Sequence, residues 1–505
     1  MNWKSLLALA YASFTPTVFA AFGVTNGSGY LSVDTGGGLV FRVSTSSGDI
    51  TSLNYNGVEY QDSSKYTHIG SGLGSATVSS KISGNYATIT IATSTLTQYY
   101  VAVSGQSAIY IGTYTTAEPS VGELRFIARL AKSKVPNGIT QAEINGGSAI
   151  EGSDVYNVNG QTRSKFYSSV PFINDKVHGV TGSGVGIYMV MPGNAYETSG
   201  GGPFFRDINN QGSAQQELYW YMNSGHMVTE SFRTGFFGPY AMVFTSGSAP
   251  SSSLDTSFFS SLGLKGYVAA SGRGTVKGTI SGVASGFTVV VGLKNSAAQY
   301  WGTASGTSYT ISGVKPGTYT ATLYKKELEV GTGSVTVSAG GTATLNLSSN
   351  ENWGSYGTPS GFLNADKIEK MHPSDSRMGS WGPVTYTIGS SSPSSFPMAQ
   401  FKAVNSPTTI KWTASSSQIG ARTLRIRTTS SFAGGRPVIT VNSWTSATPA
   451  APTQIDSRGV TRGTWRGYNQ IYGKQNSWSR VRDPIGDIGR GIEHDHNQRR
   501  KWLIR

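Results

Sequence analysis

The residues best suited to chemistry lie in two short segments of the chain. The first, EGSDVYNVNGQTRSKFYSS (151–169), carries Arg163 and Lys165. The second, ELYWYMNSGHMVTESFRTG (217–235), concentrates aromatic and ionisable side chains: Tyr219, Trp220, Tyr221, His226, Glu230 and Arg233. Aromatic rings beside a histidine and cations suit stacking on sugar rings together with binding of a carboxylate. Packing in a core and on a surface would use the same residue types, and the local sequence leaves both interpretations open.

The spacing within the second segment determines part of its geometry. In a strand, Tyr219, Tyr221 and Asn223 share one face because successive side chains alternate. Asn223-Ser224-Gly225 is a turn signal, so the alternation does not place His226. Four carboxylates could provide the pair that a glycoside hydrolase needs: Glu151, Asp154, Asp207 and Glu230. Hydrolysis therefore also stays open at this point.

Other common site motifs are absent from the sequence. Because there is no cysteine, zinc sites built on thiolates and thiol nucleophiles are excluded. The run GSGLG (70–74) lacks the final glycine of a dinucleotide-binding loop and has no βαβ pattern around it, so it indicates a tight turn. No G-x-x-x-x-G-K-S/T loop occurs, and His494 and His496 have no third metal ligand nearby in the sequence. Binding remains, or acid–base chemistry by lysine, histidine, tyrosine and carboxylates.

The composition predicts that β-sheets position these residues. Charged residues make up 13% of the chain, well below the ~25% typical of soluble proteins, and glycine accounts for 65 of 505 residues. Such a chain disfavours helices, whereas its Ser/Thr-rich runs with Val, Ile and Tyr favour strands. The hydrophobic fraction of 37% is enough for sizeable cores. No apolar stretch beyond the N-terminus is long enough to cross a membrane.

The length suggests about three domains, and the texture of the sequence supports that division. Residues 21–264 contain many short strand patterns between Gly/Ser turns. Residues 265–348 have the evenly spaced runs of a small β-sandwich, and 349–467 form a third β region. In 468–505 glycine, arginine and proline replace β-branched residues, so a basic irregular tail is expected.

The N-terminus indicates export. Lys4 precedes the apolar run 6–14, and Val18-Phe19-Ala20 provides small residues where signal peptides are cleaved. We therefore expect a signal peptide over 1–20 and a secreted, extracellular protein. Two glycosylation sequons agree with export, one at Asn26 and one at Asn346. Without cysteine, no disulfide can support any domain.

The charge of the chain favours an acidic partner. The formal net charge is +14, and the stretch from Arg458 to the end carries 11 Lys/Arg and 4 Asp/Glu, which is half of it. Positive charge suits either nucleic acid or a polyanionic polysaccharide. No helix-turn-helix, zinc finger or RNA-binding strand motif accompanies it. Charge alone does not choose between the two partners.

Long, specific strings extend along most of the chain. They are HIGSGLGSATV (68–78), TAEPSVGELRFIARL (116–130), AIEGSDV (149–155), TRSKFYSS (162–169), SGGGPFFRDIN (199–209), YWYMNSGH (219–226), DTSFFSSLGLKGYVAASGRG (255–274), MHPSDSRMGSWGP (371–383), SFAGGRP (431–437) and IDSRGVTRG (455–463). Together they resemble the fungal rhamnogalacturonan lyases (rhamnogalacturonate lyases) of polysaccharide lyase family 4. The resemblance covers residues 21–467.

The resemblance implies an all-β architecture and an activity. The architecture is a large catalytic β-sandwich of galactose-mutarotase-like fold, a fibronectin-III-like sandwich and a jelly-roll carbohydrate-binding-like domain. The activity is that of a secreted endo-lyase, which cleaves the rhamnose–galacturonate backbone of rhamnogalacturonan I (pectin) by β-elimination and leaves an unsaturated uronide. No cofactor is implied for catalysis, and a structural calcium in the third domain stays open. The expected partner is pectin, without nucleic acid or membrane, and the expected state is a monomer.

β-Elimination sets three chemical requirements. The proton on carbon 5 of galacturonate is poorly acidic because the neighbouring carboxylate is already negative, so the enzyme must neutralise that carboxylate, supply a base and protonate the leaving oxygen on carbon 4. The resemblance implies Lys165 and His226 as the catalytic pair. We assign Lys165 as the base and His226 as the proton donor to the leaving rhamnosyl oxygen, and the opposite division of roles stays open. A lysine that is neutral near pH 7 needs a pKa well below its usual ~10.4, which burial and nearby cations such as Arg163 can supply.

The remaining candidates would bind substrate. Arg125, in GELRFIARL, is expected to bind the substrate carboxylate because a guanidinium can do so bidentately. Tyr219 and Tyr221 would line subsites through stacking and hydroxyl hydrogen bonds. Arg206 is a further subsite candidate, although a structural pair with the adjacent Asp207 explains it equally well.

The sequence departs from the fungal pattern in two places. Fungal relatives usually carry disulfides in the first domain, which this chain cannot form. Relatives also continue past the SRGVTRG run (457–463) with further jelly-roll strands and a hydrophobic closing strand, whereas the basic tail follows Gly467 here. We therefore expect an incomplete jelly roll, a disordered tail and an unstable third domain. A non-catalytic pectin-binding protein on the same scaffold is the alternative to the enzyme, and the presence of both Lys165 and His226 favours the enzyme.

Overall fold

The structure is a computed structural model that describes most of the chain before residue 350 and shorter stretches after it. The described residues are 22–120, 123–138, 146–151, 155–158, 161–164, 170–205, 207–212, 214–224, 230–283, 285–325, 328–349, 382–391, 406–412, 423–426, 438–442, 444–448, 479–482 and 500–504.

The first domain is built from short antiparallel strands. They are β1 (Gly23–Gly27), β2 (Tyr30–Asp34), β3 (Leu39–Ser44), β4 (Ile50–Tyr55), β5 (Val58–Glu59), β6 (His68–Ile69), β7 (Thr77–Ser83), β8 (Tyr86–Ala92), β9 (Leu96–Val103), β10 (Ala108–Thr115), β11 (Glu123–Leu130), β12 (Ser148–Glu151), β13 (Val155–Val158), β14 (Gln161–Ser164), β15 (Val177–Gly182), β16 (Val185–Val190), β17 (Asn210–Gly212), β18 (Gln216–Ser224) and β19 (Gly235–Thr245). They form a five-stranded sheet (β1-β2-β3-β4-β5), a seven-stranded sheet (β15-β16-β19-β10-β9-β8-β7), a four-stranded sheet (β17-β18-β11-β6) and a three-stranded sheet (β12-β13-β14).

One hydrophobic core lies between the seven-stranded sheet and the five- and four-stranded sheets. The alternation of the strands produces it: β8 buries every second residue of YATITIA. Phe41 of the five-stranded sheet, Trp220 of the four-stranded sheet and Tyr240 of the seven-stranded sheet belong to this single cluster. The rings of Trp220 and Tyr240 lie 4.1 Å apart between centroids. The first domain is therefore a β-sandwich.

The seven-stranded sheet is also covered on its other face. Two short 3-10 helices, Ser257–Ser261 and Ala270–Gly272, follow β19. Phe259 of the first is fully buried and packs against Phe236 of β19. The segment that leads to the second domain thus belongs to the packing of the first.

The second domain is a smaller sandwich with its own core. Its strands are β20 (Gly274–Ser281), β21 (Val289–Lys294), β22 (Gln299–Thr303), β23 (Ser308–Val314), β24 (Gly317–Lys325), β25 (Leu328–Val337), β26 (Thr342–Thr344) and β27 (Leu347–Ser348). One sheet has the order β23-β20-β26, with β27 also on β20, and the other has the order β22-β21-β24-β25. Val276, Ile311 and Leu323 are among the residues of the core between them.

A buried carboxylate joins the first domain to the second. Glu197 is 2% exposed, and its two carboxylate oxygens accept hydrogen bonds from Arg273 Nη1 and Nη2 at 2.6 and 3.0 Å. Lys315 Nζ lies 2.9 Å from the same carboxylate, and the Tyr300 hydroxyl donates to it at 2.8 Å. Burial alone would raise the pKa of Glu197, but the hydrogen bonds and charges of Arg273 and Lys315 lower it. The two sandwiches are therefore linked by a charged interface.

The described part of the third region is also made of strands. They are β28 (Thr385–Thr387), β29 (Thr408–Trp412), β30 (Thr423–Ile426), β31 (Ile439–Val441), β32 (Trp444–Thr445), β33 (Ser479–Arg482) and β34 (Arg500–Ile504). β28, β29, β34, β31 and β32 form a sheet in that order, and β30 pairs with β33.

The end of the chain differs from the irregular tail expected from the sequence. β34 lies between β29 and β31 and pairs antiparallel with both, while β33 pairs with β30. The basic composition of 468–505 concealed the short apolar run Trp502-Leu503-Ile504. A strand in this position satisfies backbone groups at the edges of β29 and β31 that would otherwise lack partners. The stability of the third region stays a prediction.

The all-β fold class is confirmed. Regular structure in the described residues consists of strands and the two short 3-10 helices. In the same part of the chain, no helix is long and apolar enough to span a membrane. The signal peptide predicted over 1–20 lies outside the described residues.

Candidate active site

The outer face of the four-stranded sheet collects polar and aromatic side chains. Alternation turns Leu124, Phe126 and Ala128 of β11 into the core, together with Leu218, Trp220 and Met222 of β18. The residues between them face away from the core and lie in cross-strand register: Arg125 opposite Tyr221, Ile127 opposite Tyr219, and Arg129 opposite Glu217. His68 of β6 flanks Ile127 on the other side.

Arg125 is held by its neighbours on this face. Its Nη1 donates to the Tyr221 hydroxyl at 3.0 Å and forms an ion pair with Glu123. Its guanidinium carbon lies 5.5 Å from the centroid of the Tyr221 ring. The Nε of Arg125 is buried and has no hydrogen-bond partner among the described residues. The arginine is therefore pre-positioned and keeps a donor that an acidic ligand could satisfy.

Tyr221 supports this arginine, and Tyr219 packs beside Tyr221. Their ring centroids lie 5.6 Å apart, and each residue is only 6% exposed. The Tyr219 hydroxyl donates to Glu217 Oε2 at 2.5 Å. Burial raises the pKa of both hydroxyls, reinforced by the charge of Glu217 for Tyr219 and of Asp207 for Tyr221. The structure places both tyrosines on one face, with Tyr221 against Arg125, but their burial leaves little ring surface on which a sugar could stack.

A second arginine on the same face was not singled out from the sequence. Arg129 forms an ion pair with Glu217, and its Nη1 donates to Gln215 Oε1 at 3.1 Å. The period-two pattern of ELRFIARL places Arg129 on the face of Arg125, so a signal was present. The alternation along β18 likewise places Glu217 on the same face as Tyr219.

His68 was also missed. It belongs to a two-residue strand, which is too short for a period to be recognised. Burial, followed by the charges of Arg129, Arg125 and Lys65, lowers its pKa to about 4. Its imidazole is therefore neutral near pH 7.

A buried histidine positions the backbone of β18. His178 Nδ1 lies 2.7 Å from Asp175 Oδ1, and its Nε2 lies 2.6 Å from the Tyr219 carbonyl oxygen. Both partners accept hydrogen bonds, so a protonated ring satisfies both. Burial alone would lower the pKa of His178, but the negative charge and the hydrogen bond of Asp175 raise it. This histidine is therefore structural, and it holds the backbone of β18 through the Tyr219 carbonyl.

Glu230 is engaged in a structural network. Its Oε1 accepts from the Gly201 N–H at 2.5 Å, and its Oε2 accepts from Arg233 Nη2 at 3.1 Å. Arg233 also donates to the carbonyls of Ser199 and Asn295, at 2.7 and 3.0 Å. Burial alone would raise the pKa of Glu230, but the charge of Arg233 lowers it. A hydrolase acid needs a raised pKa, so Glu230 does not fit that role.

Of the proposed catalytic pair, only His226 is close in sequence to a strand of this face. Lys165, His226 and Arg206 are outside the described residues. Lys165 follows Ser164, the last residue of β14, and His226 comes two residues after Ser224, the last residue of β18. Arg163 lies on β14 opposite Tyr156, and only its backbone is described. The roles of these residues stay predictions.

Both sequon asparagines lie at the surface of the molecule. Asn26 on β1 and Asn346 before β27 are both exposed, as glycosylation requires. The Asn346 Oδ1 accepts from the Thr279 N–H and hydroxyl, each at 3.0 Å. Among the described residues, no group of three or more His, Cys, Asp or Glu is placed to hold a metal ion. Glycosylation of either asparagine stays a prediction.

Comparison with protein families gives three consecutive matches. Residues 22–266 match "Rhamnogalacturonan lyase B, N-terminal". Residues 272–345 match "Polysaccharide lyase family 4, domain II", and 355–476 match "Polysaccharide lyase family 4, domain III".

Curated relatives match over nearly the whole length. Rhamnogalacturonate lyase A of Aspergillus aculeatus is 54% identical over 480 residues, which are 92% of this chain and 91% of that protein. Rhamnogalacturonate lyase A of Emericella nidulans is 56% identical over 484 residues, 93% of this chain and 91% of that protein. The chain belongs to polysaccharide lyase family 4.

Membership of polysaccharide lyase family 4 confirms the resemblance seen in the sequence. The first sandwich, which carries Arg125, is the part of the chain that matches the lyase N-terminal domain. Among solved structures, the Bacillus anthracis TIE protein matches 56% of this chain and 40% of its own, with 11% identity and a TM-score of 0.14, which is too low to bear on the fold.

Proposed function

We propose that the chain is an endo-lyase that cleaves the rhamnose–galacturonate backbone of rhamnogalacturonan I by β-elimination at galacturonate. Its family and the names of its relatives support a lyase acting on rhamnogalacturonan. The observation that carries the proposal is the arrangement of Arg125, Arg129, Tyr219 and Tyr221 on the outer face of the four-stranded sheet, called the arginine face below. Arg125 is held beside Tyr221 on the strand that pairs with β18, and β18 leads to His226.

The reaction moves one proton to the enzyme and one from it. The Lys165 amine takes the proton from carbon 5, and the electron pair left behind forms the double bond between carbons 4 and 5. The bond from carbon 4 to oxygen breaks, and the departing rhamnosyl oxygen takes a proton from His226. One product ends in an unsaturated uronide and the other in rhamnose with a restored hydroxyl.

Arg125 would lower the barrier by binding the galacturonate carboxylate. Loss of the carbon 5 proton adds negative charge to that carboxylate, and a guanidinium positioned before the reaction stabilises it without reorganisation. Tyr219 and Tyr221 keep their protons because burial raises the pKa of both hydroxyls. Tyr221 would therefore hold Arg125 and could donate its hydroxyl proton to the substrate, whereas the Tyr219 hydroxyl donates to Glu217, and neither would act as the base. Arg163 and Arg206 would add cations around the substrate.

The chain would act outside the cell as a monomer with pectin as its partner, without nucleic acid, membrane or catalytic cofactor. A pectin-binding protein without activity is the alternative, but the relatives named above are lyases. No described feature favours it.

The product of the reaction tests the proposed function. We expect near-ultraviolet absorbance to rise when the intact chain digests rhamnogalacturonan I, because elimination conjugates the new double bond with the carboxylate. The rise should be the same with an added chelator. New saturated reducing ends without absorbance would indicate hydrolysis, and a folded protein that gives neither would indicate the binding protein.

Arg125→Lys is expected to lower kcat/KM by about 10–100-fold, the cost of one or two charged hydrogen bonds. Lysine keeps the positive charge but cannot reproduce the planar fork that contacts Tyr221 and a carboxylate together. Arg42→Lys is the matched control, because the Arg42 guanidinium also lies over a tyrosine ring, 4.7 Å from the Tyr30 centroid, on a different sheet. Equal loss in the two variants would contradict a specific role for Arg125. Initial rates at several substrate concentrations measure it.

A further inference from the structure

An exposed aromatic residue lies at one end of the arginine face. Tyr66 is 45% exposed, which is unusual for a large side chain beside a sandwich core. The neighbouring Thr67 and Ile69 are 0% and 2% exposed, so they point into the core. By alternation, Tyr66 and His68 point to the outer face.

Backbone contacts bring the segment of Tyr66 and His68 to β11. His68 pairs with Ile127, which lies between Arg125 and Arg129 in the strand. The ladder ends there, and the Arg129 N–H donates instead to the Thr67 hydroxyl at 2.9 Å, so Tyr66 is the sequence neighbour of a residue that contacts Arg129. The two arginines are four residues apart on β11, or about 13 Å at the rise of a strand.

Two buried nitrogens at this end have no partner. His68 Nε2 and Arg129 Nε make no hydrogen bond to any described residue. A buried polar group without a partner is costly, and in a native protein it needs an explanation. A ligand with acceptor oxygens would supply the missing hydrogen bonds.

The electrostatic environment favours an anionic ligand. The charges of Arg129, Arg125 and Lys65 all disfavour a proton on His68, whose pKa is already lowered by burial. Glu123 and Glu217 pair with Arg125 and Arg129 and offset much of this charge, so a ligand carboxylate would be held mainly by the guanidinium N–H groups that the ion pairs leave free.

The loop that carries Tyr66 is firmly attached. Gln61 Nε2 donates to the carbonyls of Lys65 and Arg129, each at 2.8 Å. Asp62 Oδ1 accepts from Gln215 Nε2 at 3.0 Å, which ties the loop to the segment before β18. Such anchoring reduces the ordering cost when a ligand binds.

We propose that Tyr66, His68 and Arg129 form a second subsite for an acidic sugar, with the sugar ring on Tyr66 and its carboxylate at His68 and Arg129. The inference rests on the proposed function for the identity of the polymer. An alternating rhamnose–galacturonate chain has a carboxylate on every second sugar. A galacturonate bound at Arg125 is therefore followed along the same polymer by another, which this subsite would hold.

Binding to a chain that carries Lys165→Ala tests the subsite without turnover. We would measure calorimetric affinities for two oligomers of the alternating backbone, one with a single galacturonate and one with three. Adding Tyr66→Ala or His68→Gln should reduce the affinity ratio of the long to the short oligomer about tenfold, the size of one charged hydrogen bond. Ile82→Ala, at a 51% exposed residue of β7, is the control and should leave the ratio unchanged.

The outcomes separate this inference from the proposed function. An unchanged ratio in both subsite variants, or an equal loss for both oligomers, would overturn the subsite even if the intact chain cleaves the polymer. A reduced ratio would support it even if the intact chain released no unsaturated product, which would overturn the proposed function alone. Because Tyr66 is exposed, Tyr66→Ala should unfold at the same temperature as the parent, so a loss of fold does not confuse the result.

Discussion

Replacing Lys165 with alanine is expected to reduce the rate of rhamnogalacturonan cleavage by about 10²–10⁴-fold, the usual contribution of a general base. The proton on carbon 5 is adjacent to a carboxylate, so water removes it slowly. The tyrosines of the arginine face cannot replace the lysine, because burial raises the pKa of both hydroxyls. Initial rates of near-ultraviolet absorbance at saturating substrate measure the effect on kcat.

Two controls accompany this variant. Lys81→Ala removes an exposed lysine from β7 and should retain full activity. A small primary amine in solution should restore part of the activity of Lys165→Ala, since it can occupy the space of the missing side chain and accept the proton. A folded Lys165→Ala protein with more than a tenth of the parent activity would contradict the assignment of the base.

The division of roles between Lys165 and His226 can be tested through the leaving group. In an oligomer that carries a phenol on carbon 4 of the galacturonate, the phenolate can leave without being protonated. The general acid is then unnecessary. We expect this substrate to restore much of the activity of His226→Ala and little of that of Lys165→Ala. The opposite pattern would reverse the two roles.

Periodicity accounts for how much of the site could be predicted. The alternation in YWYMN places Tyr219, Tyr221 and Asn223 on one face. The structure has the two tyrosines there, with Tyr221 against Arg125, but a register shift in the ladder puts Asn223 opposite the core residue Leu124. The same rule applied to ELRFIARL would have added Arg129, so that omission was avoidable. The all-β class followed from composition because glycine-rich, charge-poor sequences disfavour helices.

Contacts between distant parts of the chain could not be predicted in this way. His68 belongs to a two-residue strand, and its position depends on pairing with β11, 59 residues later. Glu197 looks like any surface carboxylate in the sequence, yet its partners are Arg273, Tyr300 and Lys315 of the next domain. β34 is five residues long in a basic setting, and only the strands on either side of it define it. Local propensity carries no information about such partners.

Glu197→Gln is expected to cost about 3–5 kcal/mol of unfolding free energy, because it removes one charge of a buried ion pair and leaves the cations behind. Arg273 and Lys315 have side chains that are 12% and 18% exposed, so water can solvate them only in part. Glutamine keeps the volume of the side chain, which excludes a cavity as the cause. Chemical denaturation followed by fluorescence and calorimetry measures the loss, and Glu118→Gln, at an exposed carboxylate, should change stability by less than about 0.5 kcal/mol.

The effect of Glu197→Gln should depend on pH in a defined direction. The partners lower the pKa of Glu197 in the folded protein, so folding favours the charged carboxylate. The stabilisation is complete above the unfolded pKa of about 4.3 and is lost as the pH falls through the folded value. The parent and the variant should therefore differ fully near pH 7 and converge in acid. A constant difference down to pH 2 would show that the stabilisation does not come from the charge.

The same variant separates the stability of the domain interface from catalysis. Gln299 of the second domain accepts a hydrogen bond from the Gly202 N–H at 2.8 Å, and Arg233 donates to the Asn295 carbonyl at 3.0 Å. Neither contact uses the Glu197 carboxylate, so both should persist in the folded variant. We expect the first two domains of the Glu197→Gln variant to unfold in separate steps. Well below the temperature of the first transition, the variant should retain near-parent activity. Lost activity in a folded, docked variant would instead mean that the buried ion pair holds the active site as well as the interface.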